Sequence, residues 1–212
     1  MADWSTIASV GTAAGTLILA IATFASVRSA RRSALASERA LLASIRPLLV
    51  PSRLEDPAEK IGFVDEHWVK VGGGRGVVEV TDDVIYLAIA LRNVGSGLAF
   101  LDRWDLHTGR PRTNAPDIDD FRRLQRDIYV PAGDHGFWQG ALRDPSEPMF
   151  AAVREAVESK QTITVDLLYA DQEGGQRTIS RFTLFLTSDG QPLASVGRHW
   201  NLDRADPRPT GD

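Results

Sequence analysis

Four histidines, His67, His107, His135 and His199, are the side chains of this sequence best suited to acid–base work near neutral pH. None has a second histidine four residues away, and none sits in an HExxH run, so a zinc site has no local framework. Asp134 precedes His135, and Asp203 follows His199 by one helical turn's worth of sequence. Either pair has the residue types of a base and its orienter in a hydrolase. The sequence places no Ser in a Gly-x-Ser-x-Gly turn to serve as nucleophile. Carboxylates cluster at Asp82-Asp83 and at Asp117, Asp119 and Asp120, which are oxygen ligands of the kind calcium takes. Their spacing matches no EF-hand, and solvated acidic turns have the same composition. The chain has no Cys, which excludes thiolate metal sites, iron–sulfur ligation and a thiol nucleophile. The expectation is therefore a protein without metal or cofactor, and not an enzyme.

Aromatic residues offer binding rather than catalysis. Trp138, in the run His135–Gly140, and Trp200 lie beside Gly or polar residues. With His135 they form a candidate exposed patch, because aromatics are enriched at interface hot spots. The same two rings would serve equally well to close the bottom of a sandwich. Trp68 and Trp104 fall on predicted strands and are expected in the core, while Trp4 is placed to anchor at a membrane interface.

The elements that must hold these residues fall into two classes. Ile7–Val27 carries no charge and, at about 1.5 Å per residue, is long enough to cross a hydrocarbon layer of about 30 Å. It lacks the basic n-region of a signal peptide. Gly11 and Gly15 form a GxxxG pair, a spacing that lets two membrane helices approach and form a homodimer. Beyond the span come Arg28, Arg31, Arg32, Arg39 and Arg46 against a single Glu38. Positive residues stay on the cytoplasmic side and lie near the anionic leaflet. The expected topology is a single pass through the plasma membrane with residues 1–6 outside. A juxtamembrane helix at 28–46, ended by Pro47, then leads to a cytoplasmic β domain at 47–203 and a flexible tail at 204–212. The polar run Arg53–Lys60 is a further boundary from which the domain is expected to fold alone.

The rest of the chain alternates as strands do. Gly72-Gly73-Gly74-Arg75-Gly76 between two β-rich runs predicts a hairpin with a glycine tip. Val84–Leu91 is apolar on both faces, as a central strand is. Pro145–Ser159 switches to helical spacing, with Ser146 or Asp144 as cap. Thr162–Tyr169 puts Ile163, Val165, Leu167 and Tyr169 on one face and Thr164 and Asp166 on the other. About seven or eight strands with one inserted helix predict a mainly β, antiparallel sandwich.

The run Tyr86–Leu101, a strand followed by an Asn-x-Gly-x-Gly turn, resembles the second strand of bacterial adhesion-type immunoglobulin-like domains. The Val130-Pro131-Ala132-Gly133 step resembles their Pro/Gly corner, and Thr162–Thr187 their closing hairpin. The whole layout, through the closing segment Arg198–Asp203, resembles uncharacterised single-pass membrane proteins of actinobacteria. That resemblance implies an immunoglobulin-like fold and transfers no activity. Adhesion-type domains are usually exported, which gives an envelope-binding domain as the alternative to a cytoplasmic interaction module with an unknown protein partner. The formal net charge of -4 gives no reason to expect nucleic acid.

Overall fold

The computed structural model describes residues 3–109, 114–187 and 190–206, with the side chains of 4–11 and 43 outside that description. The chain divides into two units, one ending at Ser44 and one beginning at Ile45. The first unit is a single helix, α1 (Trp4–Ser44), of 41 residues. The helix formers after Arg28 carry it without a break past the uncharged span, and it stops three residues before Pro47. Among the described residues it contains the one segment, within Thr12–Leu42, that is long and apolar enough to cross a membrane. Leu17, Ile18, Leu19, Ile21 and Phe24 are all exposed along it. Gly15 is open, with nothing within 4 Å of where a Cβ would stand, whereas the surroundings of Gly11 and the Trp4 ring lie outside the described side chains.

The second unit is mainly β. Its strands are β1 (Leu49–Pro51), β2 (Glu59–Gly62), β3 (Trp68–Val71), β4 (Gly76–Val80), β5 (Ile85–Asn93) and β6 (Ala99–Thr108). They continue as β7 (Arg122–Val130), β8 (His135–Leu142), β9 (Ile163–Ala170), β10 (Thr178–Phe185) and β11 (Leu193–Asn201). One helix, α2 (Pro148–Glu158), is inserted before β9. β5 pairs with β8 on one edge and with β4 and then β1 on the other. A second sheet runs β11-β10-β9-β6-β7, and β2 pairs only with β3. Every pairing is antiparallel.

The two larger sheets form a sandwich over one core. Ile85, Leu87, Ile89 and Leu91 of β5 meet Leu101, Trp104 and Leu106 of β6 and Val165, Leu167 and Tyr169 of β9 there. α2 adds Phe150, Val153 and Ala156 to the same core. The even residues of β5 point the other way, because strand side chains alternate. Tyr86, Ala88 and Ala90 are buried under the β2–β3 pair, against Ile61, Phe63, Val69 and Val71. That second covering layer explains why β5 is apolar on both faces.

Several expectations from the sequence are corrected by this layering. The segment Gly72–Gly76 is a crossover and not a hairpin: β3 pairs with β2, and β4 with β5. Its glycines are packed, since a Cβ on Gly73 would stand 2.1 Å from the Arg53 carbonyl oxygen and one on Gly76 would stand 2.5 Å from Leu184. Trp68 is 58% exposed because Val69 and Val71 take the buried face of β3. Part of the polar run after Arg53 becomes β2. The N-cap of α2 is Glu147, without a side-chain cap bond, while the Asp144 carboxylate instead accepts the Ser146 amide at 2.9 Å.

The domain also begins earlier than the polar boundary at Arg53. Asn93 is fully buried, and its side chain binds the entering chain to the sandwich. Its Oδ1 accepts from the amides of Leu48 (3.1 Å) and Gly95 (3.0 Å). Its Nδ2 donates to the carbonyls of Gly97 (2.7 Å) and Val130 (3.0 Å). Gly95 and Gly97 are glycines because the chain at Ile45–Leu48 lies against them. A Cβ on Gly97 would fall 1.7 Å from the Ile45 carbonyl oxygen. The Asn-x-Gly-x-Gly turn is thus a clamp on the residues that precede β1.

Candidate functional site

The residues singled out for chemistry do not converge on one place. His135, at the start of β8, lies between Glu59 (Nε2 to Oε1, 3.3 Å) and Asp134 (Nδ1 to Oδ1, 3.1 Å). His199 on β11 has its Nδ1 2.6 Å from the Ser180 Oγ. That serine is fully buried and also bonds the Tyr169 hydroxyl at 2.7 Å, which in turn accepts the Leu49 amide at 3.1 Å. The chain of bonds ties β1, β9, β10 and β11 together. No substrate carbonyl can reach a hydroxyl with no exposed surface, so the serine–histidine pair has the contacts of a structural device.

Trp138 and Trp200 are corrected as an exposed patch. Trp138 is 0% exposed and sits edge-on to Trp104 in the core, ring centroids 5.3 Å apart. Trp200 is buried against Phe121, Leu168 and Ile179, with Arg181 and Arg198 over its ring at 4.9 and 5.2 Å. Both rings cover hydrophobic surface. Arg28, Arg31 and Arg32 are exposed on α1. Arg46 is not a free charge for a membrane surface. Its guanidinium bonds Asn201 (2.9 Å) and Asp203 (3.0 Å), pinning the start of the domain to the end of β11.

The outer face of the five-stranded sheet carries a polar row that the sequence patterns did not single out. The register sets Asp105, Asp166, Arg181 and Arg198 side by side on β6, β9, β10 and β11. Asp166 is fully buried and takes a bidentate bond from Arg181, Nε to Oδ1 at 2.7 Å and Nη2 to Oδ2 at 2.6 Å. His107, two residues along β6 from Asp105, places its Nε2 3.0 Å from Asp105 and 3.6 Å from Asp166. A cavity of about 250 Å³ opens beside them, bounded by Pro116, Asp117 and Asp120. The Asp117 carboxylate is turned to its own loop, where it accepts the Asp119 amide at 3.1 Å. Among the described residues no three carboxylates or histidines are arranged to hold a metal ion.

The two carboxylates push the His107 pKa up from 6.5 to about 9, with the bond to Asp105 the largest cause and that to Asp166 next. At neutral pH the ring is a cation and cannot take a proton, so it is no general base. A raised folded pKa means that the stabilisation is complete below 6.5 and disappears as pH rises through about 9. The ring is one-fifth exposed, so solvent screening reduces the effect to on the order of 1–2 kcal/mol. Urea midpoints of the wild type are expected to fall between pH 6.5 and 9. His107→Gln is expected to remove most of that fall.

Another cleft opens between β7 and β8. β7 ends the five-stranded sheet, and β8 ends the other. Leu101 pairs with Ile128 and Arg103 with Arg123, so residues 124–127 bulge out of the β6 ladder. The cleft is about 180 Å³, with Arg122, Arg123 and Arg126 on one side, Gln139 and Gly140 on the other, and the Trp104 ring at its base. A Cβ on Gly140 would stand 2.7 Å from Trp138 and 3.1 Å from Trp104, so those two rings pack against that glycine. Arg122 is tied to Glu147 through Nη1 to Oε2 at 3.0 Å and through its second amino group. Arg126 donates to the Gly62 carbonyl at 3.3 Å. The Gln139 side chain is buried, and its Oε1 has no hydrogen-bond partner among the described residues.

No family model matches the chain, and no curated protein matches it. Among solved structures it is similar, at 14% identity and a TM-score of 0.21, to a β-glucosidase from Kluyveromyces marxianus crystallised with glucose. That match covers 60% of this chain and 13% of the other, and it carries no argument about fold or activity.

Proposed function

We propose that the chain is a single-pass plasma-membrane protein that holds its β-sandwich on the cytoplasmic side as a non-enzymatic interaction module. The observation that supports this most is α1, whose large apolar side chains are exposed among the described residues and whose basic residues, Arg28, Arg31, Arg32 and Arg39, all follow the uncharged span. The bilayer is then the first partner, and the Gly11–Gly15 pair is where two copies would associate within it. The clamp formed by Asn93, Gly95 and Gly97 supports kinship with the immunoglobulin-like domains of actinobacterial membrane proteins. The interaction reading also draws on the histidine geometry, since the hydroxyl beside His199 is buried and His107 is held protonated. Fusing reporters after Asp212 tests the orientation. A fluorescent protein that matures only in the cytoplasm is expected to be bright and alkaline phosphatase inactive. The opposite pattern would make the exported, envelope-binding alternative correct.

A further inference from the structure

We infer that the cleft between β7 and β8 is a docking groove for an extended, acidic polypeptide segment. This names the partner class of the interaction module and rests on that reading. Three features of the cleft select such a ligand.

The first is backbone. Each of its walls is the end strand of a sheet, and an end strand presents main-chain donors and acceptors along its free edge. Residues 124–127 have also left the ladder to β6. An added strand satisfies such groups and gains affinity from them.

The second is charge. Three arginines line one wall, and among the described residues only Arg122 has a carboxylate partner, Glu147. Arg126 spends one donor on a neutral carbonyl, and Arg123 is exposed, with no ion pair among the described residues. Guanidinium groups favour carboxylates, which they engage with two parallel bonds.

The third is the make-up of the rest of the lining. Phe63, Trp104 and Leu124 supply apolar surface between the polar groups, which suits a strand whose acidic and apolar side chains alternate.

The test uses the full chain in nanodiscs, where both faces of the bilayer are open, so the outcome does not depend on orientation. The probe is an acetylated, fluorescently labelled peptide of about eight residues alternating Val and Glu. Binding is expected by anisotropy, weakening with salt, together with slowed amide exchange in 124–127 and 138–141. Arg123→Glu and Arg126→Glu alter exposed side chains, so the fold is retained, and each is expected to weaken binding roughly ten- to hundredfold. The matching Val–Lys peptide is expected not to bind. Three results would overturn the inference: no binding of the Val–Glu peptide, binding indifferent to both substitutions, or equal affinity for free glutarate or inorganic phosphate. Each leaves the topology reading standing, whereas an extracytoplasmic reporter signal would remove that reading without touching the peptide result.

Discussion

Arg181→Met is expected to lower the stability of the β-sandwich by about 3–5 kcal/mol, the largest effect of any single side-chain change proposed for this protein. Asp166 has no exposed surface, and Arg181 supplies both of its short charge-assisted bonds. Removing the guanidinium leaves a buried carboxylate with, among the described residues, the more distant His107 at 3.6 Å as its remaining charged neighbour. The cost is desolvation of an uncompensated charge, not the intrinsic worth of the pair. For that reason the double variant Asp166→Leu with Arg181→Met is expected to recover a large part of the loss. Urea unfolding at pH 7 measures both. A single-variant loss below about 1 kcal/mol would mean that water reaches Asp166 freely.

Truncation at the polar boundary is expected to have an effect of similar size. A fragment of residues 45–206 should be soluble, β-rich by circular dichroism and cooperative in its melt. A fragment starting at Arg53 should lose the cooperative melt. It lacks Arg46 and with it the bonds to Asn201 and Asp203. It lacks β1, including the fully buried Leu49 and the amide that meets Tyr169. It also leaves the buried Asn93 Oδ1 without the Leu48 amide. Equal melting temperatures for the two fragments would show that the clamp contributes nothing.

The elements were largely legible in the sequence because their patterns are local. The uncharged run of α1, the two-faced apolarity of β5, the helical spacing of α2 and the alternation of β9 each lie within one element. The layers were not, because they depend on which strand lies beside which. β9 alternates cleanly, yet its polar face is also buried, since Asp166 has Arg181 and Leu168 has Phe121 and Trp200. A signal for the first of these was present: Asp105 and His107 stand two apart on a strand, and the tight Asp171–Gln176 turn fixes the register that brings Asp166 to Arg181. Trp138 stands two residues from Gly140, which lines the cleft. A large ring next to Gly and Gln has the same composition whether it is buried or exposed. The cleft itself arises where two consecutive strands join different sheets, and no local pattern encodes that parting.

The chain contains no Cys, so a single introduced thiol reports its own side of the membrane. Ser5→Cys and Gln172→Cys place one thiol before the span and one in an exposed turn of the β domain. A membrane-impermeant maleimide added to intact cells is expected to label the first. It should label the second only after the membrane is opened. Labelling of Gln172→Cys in intact cells, with Ser5→Cys protected, would contradict a β-sandwich held on the cytoplasmic side.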